Sequence, residues 1–225
     1  MSYTFLARTK LSQEYVIYKP YQRGNSYFFD KLSLTTAEKQ AFRQQIGKLA
    51  VSHQIDTKTT NIAAGKRVKS LLVMQVELLT ESYNPQLLAE LDRRMAMYLI
   101  FVLSKPSGEE TLLIHYKEAL PQIKEGKRYK IIRSFQTEQA LELSLKGATL
   151  DHVYDHLIQA VAKDDLVVSA ETASQAIQTT DQIQKLEKQA AQLKKKMYSE
   201  KSMTKQMEWR KLYQAIQKEI DNLKN

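Results

Sequence analysis

Apolar side chains that recur every three or four residues predict the helices of the first 162 residues. Thr35 and Glu38 have the spacing of a capping box, so we expect a helix from there to about Ser52. Its apolar face would be formed by Phe42, Ile46 and Leu49. Asn84-Pro85, a capping residue followed by proline, starts a second predicted helix. A third is predicted over residues 150–162.

Continuous or alternating apolar runs predict strands between those helices. The predicted strands are 71–79, 98–103, 111–116, 129–135 and 141–145, and the second and third form a hairpin. Residues 1–33 and 54–69 show neither period, so we expect them to be irregular. The predicted fold class is α+β: a small, mostly antiparallel sheet flanked by helices and followed by a long C-terminal coiled-coil helix.

The C-terminal segment, residues 182–225, has a pattern of its own. It contains no Gly or Pro, and its apolar residues step by three and four, as in a coiled coil. The predicted partner-binding seam is Ile183, Leu186, Leu193, Met197, Trp209, Leu212, Ile216 and Leu223. Polar residues interrupt it near Glu200, so either one long helix carries a discontinuity or the chain folds back on itself.

This pattern divides the chain into three parts. We expect an α+β domain over residues 1–162, with an irregular, aromatic-rich N-terminal segment, a linker over 163–181 and a basic coiled-coil helix over 182–225. A lone helix cannot bury such a seam. We therefore expect a partner for it. The partner would be a second copy of the chain, the α+β domain over residues 1–162, which we call the body, or another protein.

Charge is concentrated in the same C-terminal segment. The chain carries 34 Lys and Arg against 25 Asp and Glu, a net charge of +9. Residues 183–225 hold eleven bases and five acids, so they supply six of these nine positive charges. A basic segment favours an acidic partner, either nucleic acid or an acidic protein, although a merely solvated helix looks the same. The candidates for DNA phosphate contact are Lys194, Lys195, Lys196, Lys201 and Lys205, with Lys66 and Arg67 in a basic loop.

Composition excludes several kinds of chemistry. The chain has no Cys, which excludes a disulfide framework, a thiolate metal site and a cysteine nucleophile. No apolar run approaches the roughly 18 residues that a membrane span needs, so we expect a cytoplasmic protein without membrane contact. His152 and His156 have metal-ligand spacing, but no third ligand is recognisable. We therefore expect neither a metal nor a cofactor.

The weak catalytic candidates are Glu77, Asp92 and Lys117. Acidic residues beside a lysine are typical of metal-dependent nucleases. However, Leu79 stands two residues after Glu77, where that pattern needs lysine, and Asp92 falls on a predicted helix. A divergent nuclease is therefore an alternative, and the leading interpretation is not an enzyme.

Several short motifs occur in a characteristic order along residues 35–161. They include Thr59-Thr60-Asn61-Ile62, Leu91-Asp92-Arg93 and His115-Tyr116-Lys117. The C-terminal segment adds Glu200-Lys201 with Lys205 and Glu208. Together they resemble an uncharacterised bacterial family catalogued as domain of unknown function 4391. No catalytic residues are established for that family, so the resemblance implies none here.

The resemblance implies a context, because members tend to be encoded near restriction–modification or helicase genes of phage-defence type. We hypothesise an accessory or adaptor protein of a bacterial defence or restriction–modification system. It would act through protein–protein contacts and contacts to the DNA backbone, with itself or a larger helicase or methyltransferase subunit as partner. The alternatives are the divergent nuclease and a purely structural scaffold that binds protein only.

Overall fold

The computed structural model describes residues 3–163, 165–167 and 170–224. It separates the chain into two compact units, residues 1–162 and residues 163–225. The first unit contains the sheet and the shorter helices. The second contains two long helices.

The first unit is built on strands that lie side by side in chain order. The strands are β1 Tyr3–Thr4, β2 Lys10–Tyr18, β3 Ile46–Ile55, β4 Leu71–Leu78, β5 Tyr98–Ser104, β6 Glu110–Lys124, β7 Lys127–Thr137 and β8 Leu141–Glu142. Strands β2 to β7 form one six-stranded sheet, and β1 pairs with β8. In the six-stranded sheet β4 and β5 are parallel and the other neighbours are antiparallel. The mostly antiparallel sheet and the β5–β6 hairpin are therefore confirmed.

Among the described residues the first unit has a short 3-10 helix, Ala7–Thr9, and five α-helices: α1 Asn25–Lys31, α2 Thr36–Gln45, α3 Thr57–Thr60, α4 Pro85–Arg94 and α5 Leu150–Val161. The two predicted helix starts are confirmed by their caps. Thr35 accepts a hydrogen bond from the Glu38 N–H, and Asn84 accepts one from the Gln86 N–H. Helix α4 connects β4 to β5, because parallel neighbours need a crossover and cannot be joined by a tight turn.

The prediction that the first helix runs to Ser52 is wrong. Helix α2 ends at Gln45, and β3 begins at the next residue. Strand β3 lies between β2 and β4, and buried residues occur at adjacent positions along it. A strand covered on both faces does not alternate apolar and polar residues, and here Ile46 and Leu49 also fit helical spacing by coincidence.

Residues 1–33 are not irregular, contrary to expectation. They contain β2, an edge strand, and helix α1. Most of β2 is exposed, so it lacks an apolar signature. Its last residue, Tyr18, is fully buried, with its ring centre 5.6 Å from Phe29 and 5.9 Å from Phe42. The loop predicted over 54–69 also contains the short helix α3, capped by Asp56.

The sheet is covered on both faces. One core cluster joins α2 and α4 to alternate sheet residues such as Leu99, Phe101 and Leu103. The intervening residues Ile100 and Val102 are buried as well. Helix α5 packs against β6 and β7. Side chains on either face of the sheet can therefore be removed from water.

The second unit is an antiparallel pair of helices, which we call the hairpin. Helices α6 Ala173–Ser199 and α7 Met203–Lys224 pack along each other. Near the turn, Lys196 Nζ lies 5.2 Å from the centre of the Trp209 ring. At the other end, Lys224 Nζ lies 3.0 Å from Glu187 Oε1. The chain thus folds back on itself, and a single long helix over residues 182–225 is wrong.

The break between the two helices is short and polar. Residues 200–202 form the turn, where Ser202 N–H donates to Glu200 Oε1 at 3.0 Å and Gln206 Nε2 donates to the Glu200 carbonyl at 3.0 Å. Helix α6 also begins at Ala173, so residues 173–181 of the expected linker are helical. In the part of the chain that the structure describes, every helix is too short or too polar to span a membrane.

Candidate functional site

Two of the three catalytic candidates contact each other in the core of the first unit. Asp92 lies on α4 and Lys117 on β6, and Lys117 Nζ lies 2.5 Å from Asp92 Oδ1. Their exposed fractions are 0% and 1%. Glu77 lies on β4, is exposed, and pairs with Lys48 at 3.3 Å. The structure therefore brings Asp92 and Lys117 together and gives Glu77 a different partner.

The ammonium group of Lys117 is fully used in hydrogen bonding. It donates to Asp92 Oδ1 at 2.5 Å, to the Asp92 carbonyl at 3.0 Å and to the Met97 carbonyl at 2.8 Å. An ammonium has three N–H donors, so these three acceptors match its capacity. A buried charge that is paired and fully hydrogen-bonded avoids most of the penalty of leaving water.

The other oxygen of Asp92 is used as well. Asp92 Oδ2 lies 2.9 Å from His115 Nδ1, and His115 is 2% exposed. His115 and Lys117 are two residues apart on β6, so they project from the same face of the strand. We call Asp92, His115 and Lys117 the buried polar cluster.

Tyrosine rings enclose this cluster. Lys117 Nζ lies 4.9 Å from the centre of the Tyr98 ring and 4.2 Å from that of Tyr129, within the range of cation–π attraction. The Tyr154 hydroxyl donates to the His115 carbonyl and accepts the Lys117 N–H at 3.2 Å. Tyr154 on α5 therefore links that helix to the backbone of β6, the strand that carries His115 and Lys117.

Burial controls the ionisation of these groups. It lowers the pKa of the Lys117 ammonium, and the Asp92 carboxylate opposes that change by attraction and hydrogen bonding. Burial also raises the pKa of the Tyr98 and Tyr129 hydroxyls, and it raises the pKa of Tyr154 well above its ordinary value. The tyrosine hydroxyls beside Lys117 and Asp92 thus stay neutral.

The arrangement is a closed structural network. Both oxygens of Asp92 and all three protons of Lys117 already have partners inside the protein. Within the described ranges, no three His, Asp or Glu side chains come together in a way that could hold a metal ion. A substrate would have to displace an internal hydrogen bond to reach either charged group.

Sequence reasoning missed His115 and the three tyrosines of this site. The available signal was a histidine and a lysine two residues apart at the end of an apolar strand, which places both polar groups on one buried face. Their partner, Asp92, lies 23 and 25 residues earlier in the chain. Strand β5 and the turn that follows it lie between them in the chain, and the local pattern does not show that α4 packs against β6.

The basic loop around Lys66 and Arg67 is occupied by the protein itself. The Asp151 carboxylate accepts the backbone N–H groups of Lys66 at 2.8 Å, Arg67 at 3.1 Å and Val68 at 2.7 Å. Arg67 Nη2 also lies 2.8 Å from Asp155 Oδ2. Although burial opposes it, these backbone hydrogen bonds and Arg67 lower the pKa of Asp151. An internal carboxylate thus fills the place that a phosphate would take at the backbone of this loop, and the side chains of both Lys66 and Arg67 are exposed.

Part of the predicted seam is buried between the two helices of the hairpin. Ile183 is buried, and seven of the eight predicted positions are half-buried or buried: Ile183, Leu186, Leu193, Met197, Trp209, Ile216 and Leu223. Leu212 is exposed. Leu193, Leu212 and Ile216 line one cleft between α6 and α7. The two helices thus act as each other's partner along much of the seam.

Positive charge is concentrated at the turn of the hairpin. Residues 194–211 hold seven Lys and Arg against two Asp and Glu, which leaves five net positive charges. All seven bases are exposed, and among the described residues none of them forms an ion pair. The five predicted phosphate-contacting lysines lie here: Lys194, Lys195, Lys196, Lys201 and Lys205.

Large apolar side chains are exposed at the same end. Tyr198, Met203 and Met207 have exposed fractions of 74%, 72% and 58%. They line a cleft together with Met197, Gln206, Arg210, Tyr213 and Gln214, and we call these eight residues the tip surface. An exposed apolar surface rimmed by charge is typical of an interaction site.

Comparison with known proteins gives one match. The model of a family described as Domain of unknown function (DUF4391) matches residues 25–220. This range covers most of both units. Neither a curated protein nor a solved structure matches the chain.

Proposed function

Since the chain belongs to this family of unknown function, we propose on structural grounds that it is an accessory adaptor protein. It binds a larger protein, such as a helicase or methyltransferase subunit of a bacterial defence or restriction–modification system, through its hairpin. The observation that carries the proposal is the tip surface, where Tyr198, Met203 and Met207 are exposed beside seven bases. The defence setting comes from the family resemblance.

The residue types at the tip support a protein partner. Tyr, Met and Arg are enriched at the centres of protein interfaces, because they supply contact area together with a polar or adaptable group. The tip surface contains three Met, two Tyr and one Arg, together with two Gln. Its side chains leave water only when a second molecule covers them.

The body supports a non-catalytic role. Asp92 and Lys117, the two catalytic candidates that meet, are saturated by internal hydrogen bonds. A general base or metal ligand has to reach its substrate or ion within hydrogen-bond distance. We therefore assign the buried polar cluster to the stability of the body and its α4–β6 contact.

The test of the proposal is the mass of the full chain in solution, alone and mixed with the product of each neighbouring gene. We expect a complex with one of them, which Met203→Ser with Met207→Ser abolishes. Leu79→Ser with Ile123→Ser is the matched control, since both side chains are exposed in the first unit. A complex that forms equally well with the tip variant would overturn the proposal. A chain that doubles its own mass through the hairpin would indicate a self-paired coiled coil and a structural scaffold.

A second candidate function is contact with the DNA backbone, favoured by the seven exposed bases of residues 194–211. Each phosphate neutralised by a base releases counterions, so the logarithm of affinity falls with the logarithm of salt by about 0.9 per contact. We expect a charge-reversed variant at Lys194, Lys195, Lys201 and Lys205 to lose several units of that slope on duplex DNA. The control reverses four exposed body lysines: Lys19, Lys58, Lys124 and Lys130. Equal slopes for the two variants would exclude the hairpin as the contact.

A further inference from the structure

The cleft at the tip of the hairpin has the size of a side-chain binding site. Its volume is about 490 Å³, and it lies between the end of α6 and the start of α7. Clefts that bind small molecules or protein side chains measure roughly 300–1,000 Å³. The tip cleft therefore accepts a few large side chains rather than a whole domain.

The walls of the cleft restrict the mode of binding. Both walls are α-helices, which present side chains to the cleft and have no strand edge. A bound strand would find no sheet edge to extend, so strand addition is excluded here. An occupant has to bring apolar side chains on one face, and an amphipathic helix laid along the groove does this with residues spaced three and four apart.

The composition of the walls favours a protein occupant over single-stranded nucleic acid. Met197, Met203 and Met207 provide flexible, polarisable side chains that adapt to aliphatic groups. Of the two rings that line the cleft, Tyr198 is exposed and Tyr213 is half-buried, so the cleft does not offer the successive exposed rings on which single-strand binders stack bases. The nearby indole of Trp209 is already covered on one face by Lys196, 5.2 Å from its centre.

The charge around the cleft sets the charge of the occupant. Residues 194–211 carry five net positive charges, and Arg210 lines the cleft itself. A helix with glutamate or aspartate flanking its apolar stripe is complementary to this rim. A basic amphipathic helix would be repelled.

We propose that the tip surface binds an acidic amphipathic α-helix of the partner protein, with the apolar stripe of that helix between Met203 and Tyr198 and its carboxylates against the surrounding lysines. This inference rests on the proposed adaptor function and names the docking element of the partner.

The experiment uses the full chain and a labelled acidic peptide, followed by fluorescence anisotropy. The probe has about 18 residues, or roughly 27 Å of helix, with leucines at positions three and four apart and glutamates at most others. The control peptide has the same composition, with its leucines distributed around the helix. We expect the striped peptide to bind about tenfold more tightly than the control peptide.

Substitutions then separate the apolar part from the electrostatic part. Met203→Ser with Met207→Ser should weaken binding of the striped peptide about tenfold and bring it to the level of the control peptide. Leu79→Ser with Ile123→Ser should leave binding unchanged. Reversing Lys201 and Lys205 should weaken both peptides and reduce their dependence on salt.

The outcomes distinguish the two proposals. If both peptides bind equally and the tip variant binds like the wild type, the docking helix is not acidic and amphipathic, and this inference is wrong. The adaptor function still stands in that case if the tip variant loses the complex with the neighbouring gene product. If a duplex of similar charge displaces the striped peptide and also outbinds it at high salt, the tip is a nucleic-acid site and the inference is again overturned.

Discussion

The two charged regions of this protein are organised in opposite ways. In the body, Asp92, His115 and Lys117 are buried and bonded to one another. At the tip of the hairpin, seven bases are exposed, and in the described residues none is paired with an acid. The buried polar groups have their hydrogen-bond partners inside the protein, whereas the exposed bases face solvent.

The buried groups and the exposed groups are expected to affect different properties of the protein. Removing one partner of a buried ion pair is costly, because the other charge stays in the protein interior. Exposed charges contribute little to folding, and their main effect is on association with other molecules. We therefore expect substitutions in the body to change the free energy of unfolding and substitutions at the tip to change binding.

The largest effect is expected from Asp92→Ala. It leaves the Lys117 ammonium and the His115 ring without their carboxylate, so we expect the free energy of unfolding to fall by about 3–5 kcal/mol. Urea denaturation of the purified chain measures this. The double variant Asp92→Leu with Lys117→Met removes both charges and should cost less than Asp92→Ala alone. If Asp92→Ala unfolds at the wild-type urea concentration, the cluster does not hold the body together.

A pair of substitutions in the hairpin compares its inside with its outside. Ile220 is 3% exposed and Met207 is 58% exposed. We expect Ile220→Ala to destabilise the chain by about 2–4 kcal/mol through the cavity it leaves. Met207→Ser should change stability by less than about 0.5 kcal/mol. Thermal unfolding followed by far-ultraviolet circular dichroism measures the stability of both variants. A large loss of stability for Met207→Ser would mean that the tip surface is part of the folded core.

A smaller, pH-dependent effect is expected at Asp151. Its folded pKa lies below the ordinary value of 3.8, so the charged carboxylate stabilises the fold above that pH. The contribution is lost as pH falls through the lower folded pKa. Asp151→Asn should therefore cost about 2 kcal/mol near neutral pH and progressively less below pH 3.8.

The measurement is a series of urea denaturations from neutral to acidic pH, on the wild type and Asp151→Asn. The two stability curves should converge at the acidic end. A constant gap at all pH values would show that the carboxylate charge plays no part in holding residues 66–68.

Local signals explain which parts of the fold were predictable. Helix caps depend on two or three neighbouring residues, so Thr35 and Asn84 marked helix starts correctly. Strand β3 depends on its two neighbours in the sheet, and its run of buried residues has no strand period. The sequence alone does not decide that the C-terminal segment folds back, because the polar break at residues 200–202 fits a discontinuous helix as well.

The tip of the hairpin and the buried polar cluster also differ in how far the sequence predicts them. Basic and apolar residues of the tip are close in sequence, so the charge count alone pointed to that region. The buried polar cluster joins residues on α4 and β6, and only the packing of α4 against the sheet places them together. Glu77 lies on an apolar strand, which makes it a catalytic candidate in the sequence, yet in the structure it is exposed and pairs with Lys48.

The most direct test of the central claim is site-specific photo-crosslinking of the full chain in its host cell. A photoreactive residue placed at Met207 should give one defined adduct with a protein partner, and the same residue placed at Leu79 on the body should give none. Adducts formed from Leu79 and absent from Met207 would contradict the account, because the partner would then bind the body and not the tip of the hairpin.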